Sequence, residues 1–298
     1  MLVRFLIPVG LLLSFSTAAQ PRPVILDADT ANEVDDPFAL ARILTDTTVD
    51  VLCLNATQWE PAHYAVPNTM LASYRLNEVL LGYLEPRWRV PNLKGGHDRM
   101  YDWGEKAQHS QATYRILEAA RQLPAGKKLP IITLGALTNV ASALWIDPTI
   151  ADRLAVYWLG SSYDFERQTM RKNNFNCVMD IQALEVVLDS PVELYVMPTN
   201  VAQAMQVDYT EVFGALPADH PGTGFLRRLW DDHRDGGRQA RTLWDIALVE
   251  AFLRPGLVNW AAVPAPRANG GRTIFVARTI DRAGMYRDFF GHLGRVWR

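Results

Sequence analysis

Cysteine is scarce in this sequence, and so is net charge. Two cysteines occur among 298 residues, Cys53 and Cys177, which is too few for a disulfide framework. Cys53 lies in an apolar run typical of a buried strand, and we predict no disulfide bridge. The formal net charge is only −2, so no electrostatic argument favours nucleic acid as a partner. Apolar residues make up 49% of the chain, a share that supports a folded core and excludes a wholly disordered protein.

Apolar runs long enough to span a bilayer, which takes roughly 20 residues, are also lacking. The run over residues 5–15 is too short and is interrupted by Pro8. An arginine precedes this run and small residues follow it at 17–19, an arrangement typical of a secretory signal peptide. We therefore predict that residues 1–19 are removed and that residues 20–298 form an exported protein, periplasmic or secreted, without membrane attachment. An uncleaved membrane anchor is the alternative.

Segments of strand length alternate along the chain with segments that have helical spacing. Such alternation predicts right-handed crossovers and a mostly parallel central sheet flanked by helices, a Rossmann-like open sheet. We expect a single α/β domain over residues 20–298, because no repeat or low-complexity tract divides it. Strands are predicted at 24–26, 49–54, 129–134, 154–159, 192–197 and 273–276, and helices at 37–44, 69–84, 111–122, 139–144, 181–188 and 243–253.

Polar loops follow several of the predicted strands. In open parallel sheets, ligands bind beyond the carboxyl ends of the strands, so these loops are expected to meet at one edge. The loops cover residues 27–36, 135–139, 160–162 and 198–200. Residues 208–241 are polar, with glycines at 222, 224, 236 and 237, and we predict helical pieces there that form a lid over the same edge.

The first of these loops contains a cluster of carboxylates. Four aspartates and one glutamate lie within residues 27–36, directly after a short apolar strand. Like charges this close are costly unless a cation neutralises them, and oxygen ligands suit calcium or magnesium rather than zinc. Asp36 precedes Pro37 and has a purely structural alternative as a helix N-cap. One cap does not account for the other acidic residues, so we predict a metal site here.

A different enzyme class is suggested by part of the same loop. Asp27-Ala28-Asp29-Thr30 resembles the Asp-x-Asp-x-Thr signature of haloacid-dehalogenase-type phosphatases, in which the first aspartate is the nucleophile and magnesium binds beside it. This match leaves Asp35 and Asp36 unexplained. A magnesium-dependent phosphatase is therefore kept as the alternative activity.

Four short motifs together resemble those of the inosine–uridine-type nucleoside hydrolase family, in the family's order and over roughly residues 23–253. The first has a spacer two residues longer than usual. The motifs are Asp27-Ala28-Asp29 with Asp35-Asp36, Leu134-Gly135-Ala136-Leu137-Thr138-Asn139-Val140-Ala141, Asn174-Phe175-Asn176 with Asp180, and Leu243-Trp244-Asp245-Ile246-Ala247.

The resemblance implies a calcium-dependent hydrolase that cleaves the N-glycosidic bond of a ribonucleoside or a related N-riboside. Asp35 would be the general base, and Asp27 would support the cluster from behind. A small-molecule nucleoside would be the partner, and family members are often homo-oligomers. The Ca²⁺ ligands would be Asp29, Asp36, Asp245 and the backbone carbonyl of Leu134.

The resemblance is less complete at the residues that would contact the substrate. Asn176 would hydrogen-bond the sugar, while Asn174 stands where the family commonly has glutamate. Trp244 replaces the family histidine that assists the leaving base, and it can either stack on a base or pack in the core. Glu60 lies in the divergent loop after the second strand and is a further candidate substrate contact.

Two hypotheses follow from the absence of the family histidine at position 244. His220 or His233, in the predicted lid, is a candidate replacement for the leaving-group acid. Alternatively, the chain is a calcium- and riboside-binding protein that does not catalyse cleavage. The presence of Asp35, which binding alone does not require, favours the enzyme.

Overall fold

The computed structural model describes residues 20–84, 89–100 and 106–298. The predicted signal peptide, residues 1–19, lies outside this part of the chain. Within the described residues, no helix combines the length and the apolarity that crossing a bilayer requires. Cys53 and Cys177 are both buried and unpaired.

Strands and helices alternate through most of the chain. The strands are β1 (Arg22–Ala28), β2 (Val49–Ala56), β3 (Asn92–Lys94), β4 (Leu129–Thr133), β5 (Leu154–Leu159), β6 (Ser162–Asp164), β7 (Thr169–Arg171), β8 (Glu193–Met197), β9 (Gln206–Asp208), β10 (Ala240–Thr242), β11 (Val258–Pro264) and β12 (Thr273–Ile280). The helices are α1 (Asp35–Leu44), α2 (Thr69–Leu84), α3 (Gln111–Gln122), α4 (Thr138–Ile146), α5 (Phe175–Met179), α6 (Ile181–Asp189), α7 (Thr199–Ala202), α8 (Tyr209–Ala215), α9 (Pro221–Asp231), α10 (Trp244–Leu253) and α11 (Arg282–Val296).

An eight-stranded sheet in the order β11-β12-β8-β5-β4-β1-β2-β3 forms the centre of the described structure. Every neighbouring pair is parallel except β11 and β12, which are antiparallel. The predicted fold class, a mostly parallel α/β sheet flanked by helices, is therefore confirmed. Short two-stranded sheets, β9–β10 and β6–β7, lie outside it.

Both faces of the sheet are buried, as expected for parallel strands covered by helices. Val24 and Leu26 of β1 belong to one hydrophobic cluster, and Ile25 between them belongs to the other. Successive side chains on a strand point to opposite faces, which explains why β1 is a continuous apolar run. The carboxyl end of β1 then delivers the acidic loop to the edge of the sheet.

Helix α1 begins two residues earlier than the Asp36–Pro37 pattern predicts. Its first residue is Asp35, and Val34 occupies the N-cap position without a side-chain hydrogen bond. The alternative interpretation of Asp36 as a helix cap is therefore wrong. Because neither aspartate caps the helix, both carboxylates remain in its first turn, where the positive end of the helix dipole favours negative charge.

The predicted lid segment, residues 208–241, begins at the end of β9 and continues through α8 and α9 into β10. The prediction of helical pieces there is consistent with α8 and α9. Trp230 of α9 is fully buried and packs edge-on against Phe38 of α1, with ring centroids 6.1 Å apart. Phe213, Leu226 and Trp230 all belong to the hydrophobic core, so the segment is anchored next to the helix that carries Asp35 and Asp36.

Candidate functional site

A cavity of about 320 Å³ opens at the carboxyl edge of the sheet. This volume is at the lower end of the range typical of small-molecule sites. Loops after β1, β4, β5 and β8 contribute to its wall, together with the first turns of α1 and α10. The lining residues are Asp29, Asn32, Glu33, Asp35, Asp36, Tyr64, Leu134, Leu159, Asn174, Phe175, Asn176, Thr199, Trp244 and Asp245.

Three of the predicted carboxylates come together although they are distant in sequence. Asp35, Asp36 and Asp245 each offer an oxygen, and these oxygens lie within 4.8 Å of one another. Asp35 and Asp36 open α1, and Asp245 is the second residue of α10. The backbone N–H of Asp245 donates to Asp35 Oδ2 at 3.4 Å. The starts of the two helices therefore face the same part of the cavity.

Asp29 lies beside this group, close to the turn that follows β4. A Cβ atom added at Gly135 would be 2.6 Å from Asp29 Oδ1, so the backbone of that turn approaches the Asp29 carboxylate more closely than any other residue would permit. The Leu134 carbonyl belongs to the same turn. It accepts a hydrogen bond from Asn176 Nδ2 at 2.5 Å, and the Leu159 carbonyl accepts a second one at 2.9 Å.

Several carboxylate oxygens in the cavity have no protein partner. Asp29 Oδ2, Asp36 Oδ1 and Asp245 Oδ1 are buried and accept no hydrogen bond from the described residues. Leaving a buried polar atom unsatisfied costs about 1–3 kcal/mol, and more for a charged group. A hard divalent cation with oxygen ligands would satisfy all three atoms. The donor set therefore fits a metal ion.

The pKa values of these groups reflect the same unbalanced charge. Burial raises the pKa of Asp29 to about 7, and the nearby charge of Asp35 raises it too. Burial also raises the pKa of Asp35 to about 7, with Glu33 adding to the rise. For Asp36 and Asp245, burial and the neighbouring aspartates raise the pKa well above its usual value. A bound cation would oppose every one of these shifts.

Asp27 lies behind the cavity and does not line it. Its side chain is fully buried, with Oδ2 accepting from Thr57 Oγ1 and Oδ1 accepting from Asn139 Nδ2, both at 2.9 Å. Burial raises the pKa of Asp27 to about 6, although these hydrogen bonds oppose the rise. Through these hydrogen bonds, Asp27 connects the ends of β1 and β2 with the start of α4, beneath the acidic loop.

Not all of the residues predicted to contact the substrate line the cavity. Asn174 lines the cavity, but its Oδ1 accepts from the backbone N–H of Ser161 at 2.8 Å and of Cys177 at 3.3 Å, which caps α5. Trp244 lines the cavity at the start of α10. Glu60 is not among the lining residues. Its carboxylate accepts from Thr69 Oγ1 at 2.9 Å at the start of α2, so its position does not support the predicted substrate contact.

Sequence reasoning missed an aromatic wall of the cavity. The rings of Tyr64 and Phe175 are nearly parallel, 9° apart, with centroids separated by 6.3 Å. The guanidinium of Arg234 lies 3.6 Å from the centroid of the Tyr64 ring, and it donates to the Asn32 carbonyl at 2.6 Å. Phe175 lies within the Asn174-Phe175-Asn176 motif, whereas no spacing in the sequence connects it with Tyr64 or Arg234.

Of the two histidines suggested as leaving-group acids, only one lies near the cavity. His220 caps α9, where its Nδ1 accepts from Gly222 N at 3.1 Å, and its ring stacks on Trp297. His233 Nε2 lies 3.7 Å from Glu33 Oε2, so Glu33 stands between His233 and the cavity. Burial lowers the pKa of His233 to about 4. Burial raises the pKa of Glu33, and the charge of Arg234 opposes that rise.

Comparison with known proteins places this geometry in a family. The family model described as inosine-uridine preferring nucleoside hydrolase matches residues 24–286. No curated protein matches the chain in sequence. An inosine-guanosine nucleoside hydrolase structure is 16% identical, covers 91% of this chain and 98% of its own, and has a TM-score of 0.72.

Two further solved structures have the same fold. A purine-preferring ribonucleoside hydrolase from Gardnerella vaginalis is 18% identical, with coverage of 92% of this chain and 99% of its own and a TM-score of 0.66. An inosine-uridine preferring nucleoside hydrolase from Bacillus anthracis is 17% identical, with coverage of 92% and 98% and a TM-score of 0.63. At these identities the similarity shows the fold.

Proposed function

Because this chain belongs to the inosine-uridine preferring nucleoside hydrolase family, a family of hydrolases that act on N-glycosyl compounds, we propose that it hydrolyses the bond between ribose and a base with the help of Ca²⁺. The products would be free ribose and the free base. The substrate would be a ribonucleoside or a related N-riboside.

One observation carries this proposal. Carboxylates from the start of α1 and the start of α10 meet in a single cavity, and buried oxygens of Asp36 and Asp245 have no partner among the described residues. We propose that Asp29, Asp36, Asp245 and the Leu134 carbonyl hold the ion. Calcium accepts six to eight oxygen ligands in flexible geometry, which leaves room for water and sugar hydroxyls. When bound, the ion would supply positive charge that orients the sugar and lowers the pKa of a water molecule.

Asp35 is the proposed general base. It lines the cavity beside the proposed ligands, and it would accept a proton from the water that attacks the anomeric carbon. Positive charge develops on the sugar ring as a glycosidic bond breaks, and the remaining carboxylates of the cavity would stabilise that charge. Phe175 and Trp244 present flat apolar surfaces on which the leaving base would pack.

The phosphatase alternative conflicts with the position of Asp27. A nucleophilic aspartate has to reach the substrate, whereas the two carboxylate oxygens of Asp27 accept from Thr57 and Asn139 beneath the cavity. The non-catalytic binding protein remains the second candidate. It shares the cavity and the proposed ion, and it differs only in the absence of turnover.

The activity test uses the purified chain with inosine and uridine. We expect release of reducing sugar that stops with a calcium chelator and returns when Ca²⁺ is added back. Asp35→Asn should abolish the release, while Asp152→Asn, at an exposed position outside the cavity, should behave as the wild type. Binding of nucleoside without sugar release would favour the non-catalytic candidate, and phosphate release from sugar phosphates would favour the phosphatase.

We also propose that the protein is exported after cleavage following residue 19 and that residues 208–241 act as a lid. Support for the lid comes from Arg234 and His233, which reach Tyr64 and Glu33 at the cavity. Sequencing the amino terminus of protein recovered from the periplasm or the medium tests export. We propose that it forms a homo-oligomer, as the family resemblance implies, and sedimentation of the recovered protein tests this.

A further inference from the structure

The cavity offers a leaving group little means of protonation. Among the described residues that line it, none is histidine, lysine or arginine, whereas five are carboxylic acids. A neutral base that leaves ribose takes the bonding electrons with it and needs a proton to depart easily. General acids typically accelerate such steps about 10²–10⁴-fold. The five acids are Asp29, Glu33, Asp35, Asp36 and Asp245.

The O–H groups of the wall are already engaged. Tyr64 donates its hydroxyl proton to Asn32 Oδ1 at 2.9 Å, and Thr199 Oγ1 donates to the Ser161 carbonyl at 2.8 Å. Trp244 carries only an indole N–H, which is not a proton donor in the acid–base sense at neutral pH. The proposed base, Asp35, must be ionised to act and cannot serve as the acid in the same step.

Glu33 is the one cavity-lining carboxyl group among the described residues that is neither a proposed metal ligand nor the proposed base. Its Oε1 lies 3.4 Å from Arg234 Nη2, and its Oε2 lies 3.7 Å from His233 Nε2. Both oxygens thus face nitrogen atoms of the predicted lid. This arrangement suits a fixed negative charge at the entrance of the cavity.

The charge of the cavity suits a cationic ring. Among the described residues that line the cavity, five side chains are acidic and none is basic, a composition that favours a cation next to the aromatic wall. Arg234 covers one face of Tyr64, while Phe175 and Trp244 line the cavity. Aromatic faces attract cations within about 6 Å of the ring centre.

We propose that the preferred substrates are N-ribosides whose leaving nitrogen already carries a positive charge, that is, N-ribosylpyridinium compounds. The inference rests on the proposed function and names its substrate class. As the bond from the anomeric carbon to the ring nitrogen breaks, its electron pair neutralises the nitrogen, so the ring leaves uncharged without a proton. The oxygen of water bonds to the anomeric carbon, and a proton of that water passes to Asp35.

The test compares three substrates on the calcium-loaded full chain. Nicotinamide riboside has a cationic leaving nitrogen, inosine needs a proton on its base, and p-nitrophenyl riboside leaves as a stable phenolate without one. We expect kcat/KM for nicotinamide riboside to exceed that for inosine by about 100-fold or more, in line with the loss of a general acid, and p-nitrophenyl riboside to be cleaved readily.

Two results distinguish a wrong substrate class from a wrong proposed function. If inosine is cleaved as efficiently as nicotinamide riboside, the substrate class is wrong and the hydrolase remains. If none of the three ribosides is cleaved, the proposed function fails and this inference fails with it.

Glu33→Gln distinguishes a fixed charge from a proton donor. For a fixed charge, KM for nicotinamide riboside should rise more than KM for p-nitrophenyl riboside, because only the first substrate is a cation. If Glu33 instead donates a proton, the variant will lose inosine cleavage and keep that of p-nitrophenyl riboside, which would overturn the inference. Glu166→Gln, at an exposed position outside the cavity, is the matched control.

Discussion

Arg42 Nε donates to Glu250 Oε1 at 2.8 Å, and neither side chain is exposed to solvent. Arg42 lies in the last turn of α1 and Glu250 lies in α10, so this ion pair joins the two helices whose first turns carry Asp36 and Asp245. Asp288 of α11 also accepts from the same guanidinium, at 2.6 Å. The pair therefore fixes α1 against α10 at the end opposite to the cavity.

Replacing Arg42 by Met should destabilise the fold strongly. Removing one partner of a buried ion pair leaves an uncompensated charge and typically costs about 3–5 kcal/mol, here at Glu250. Urea unfolding measures the loss. Arg121→Met is the matched control, because the Arg121–Asp147 pair is on the surface with the arginine side chain 58% exposed, and such pairs contribute about 0–1 kcal/mol. Equal effects of the two substitutions would contradict the assigned role.

Chelation of the metal ion should lower the thermal stability of the wild-type protein. Without a cation, the carboxylates of Asp29, Asp36 and Asp245 are buried together without compensation. A ligand present at 100 times its Kd stabilises the folded state by about 2.7 kcal/mol. Calorimetric scans with and without chelator measure the shift in Tm, which should vanish in Asp36→Asn. An unchanged Tm in the wild type would argue against a resident ion.

Gly135→Ala should weaken metal binding more than it weakens the fold. The added Cβ would lie 2.6 Å from Asp29 Oδ1 and would push that carboxylate away from its neighbours. Gly214→Ala is the matched control, because nothing lies within 4 Å of a Cβ there. Competition with a calcium-sensitive dye gives the affinity of each variant. An affinity for Gly135→Ala equal to that of the wild type would mean that the close approach is unimportant.

His292 should reduce stability as the pH falls below neutrality. Burial lowers its pKa from 6.5 to about 4, and its Nε2 lies 2.9 Å from Thr45 Oγ1. Between these two values the unfolded chain binds a proton that the folded chain does not, so the free energy of unfolding falls with decreasing pH, by at most about 1.4 kcal/mol per pH unit. Asp46, Arg42, Arg295 and Asp288 also face this ring.

The variant His292→Gln isolates that contribution. Urea unfolding of the wild type and of His292→Gln between pH 4 and 7 should give a difference that changes with pH. A difference that is constant over this range would contradict the assignment to His292.

The sequence predicts the positions of the acidic residues better than it predicts their surroundings. Alternating strands and helices place the loop after β1 at the carboxyl edge, because parallel strands end on the same side. Asp29, Asp35 and Asp36 could therefore be expected there, and Asp245 entered through its motif at the start of α10. These features depend on chain direction and periodicity, which a single sequence displays.

Contacts between side chains of distant segments could not be predicted from the sequence. Glu60 reads as a polar loop residue, yet the hydroxyl of Thr69 at the start of α2 binds its carboxylate. Tyr64 and Arg234 are 170 positions apart in the sequence, and nothing in either segment indicates that the guanidinium lies over the ring. Such contacts depend on how a loop and the segment 208–241 pack, which no local pattern specifies.

Calorimetric titration of Ca²⁺ into the metal-free protein, together with Asp36→Asn and Asp245→Asn, tests the central claim most directly. We expect one calcium site in the wild type, with binding lost or weakened by at least tenfold in each variant, because aspartates from α1 and α10 share the ion. Binding that persists unchanged in Asp245→Asn, or a wild-type protein that takes up no Ca²⁺, would contradict it.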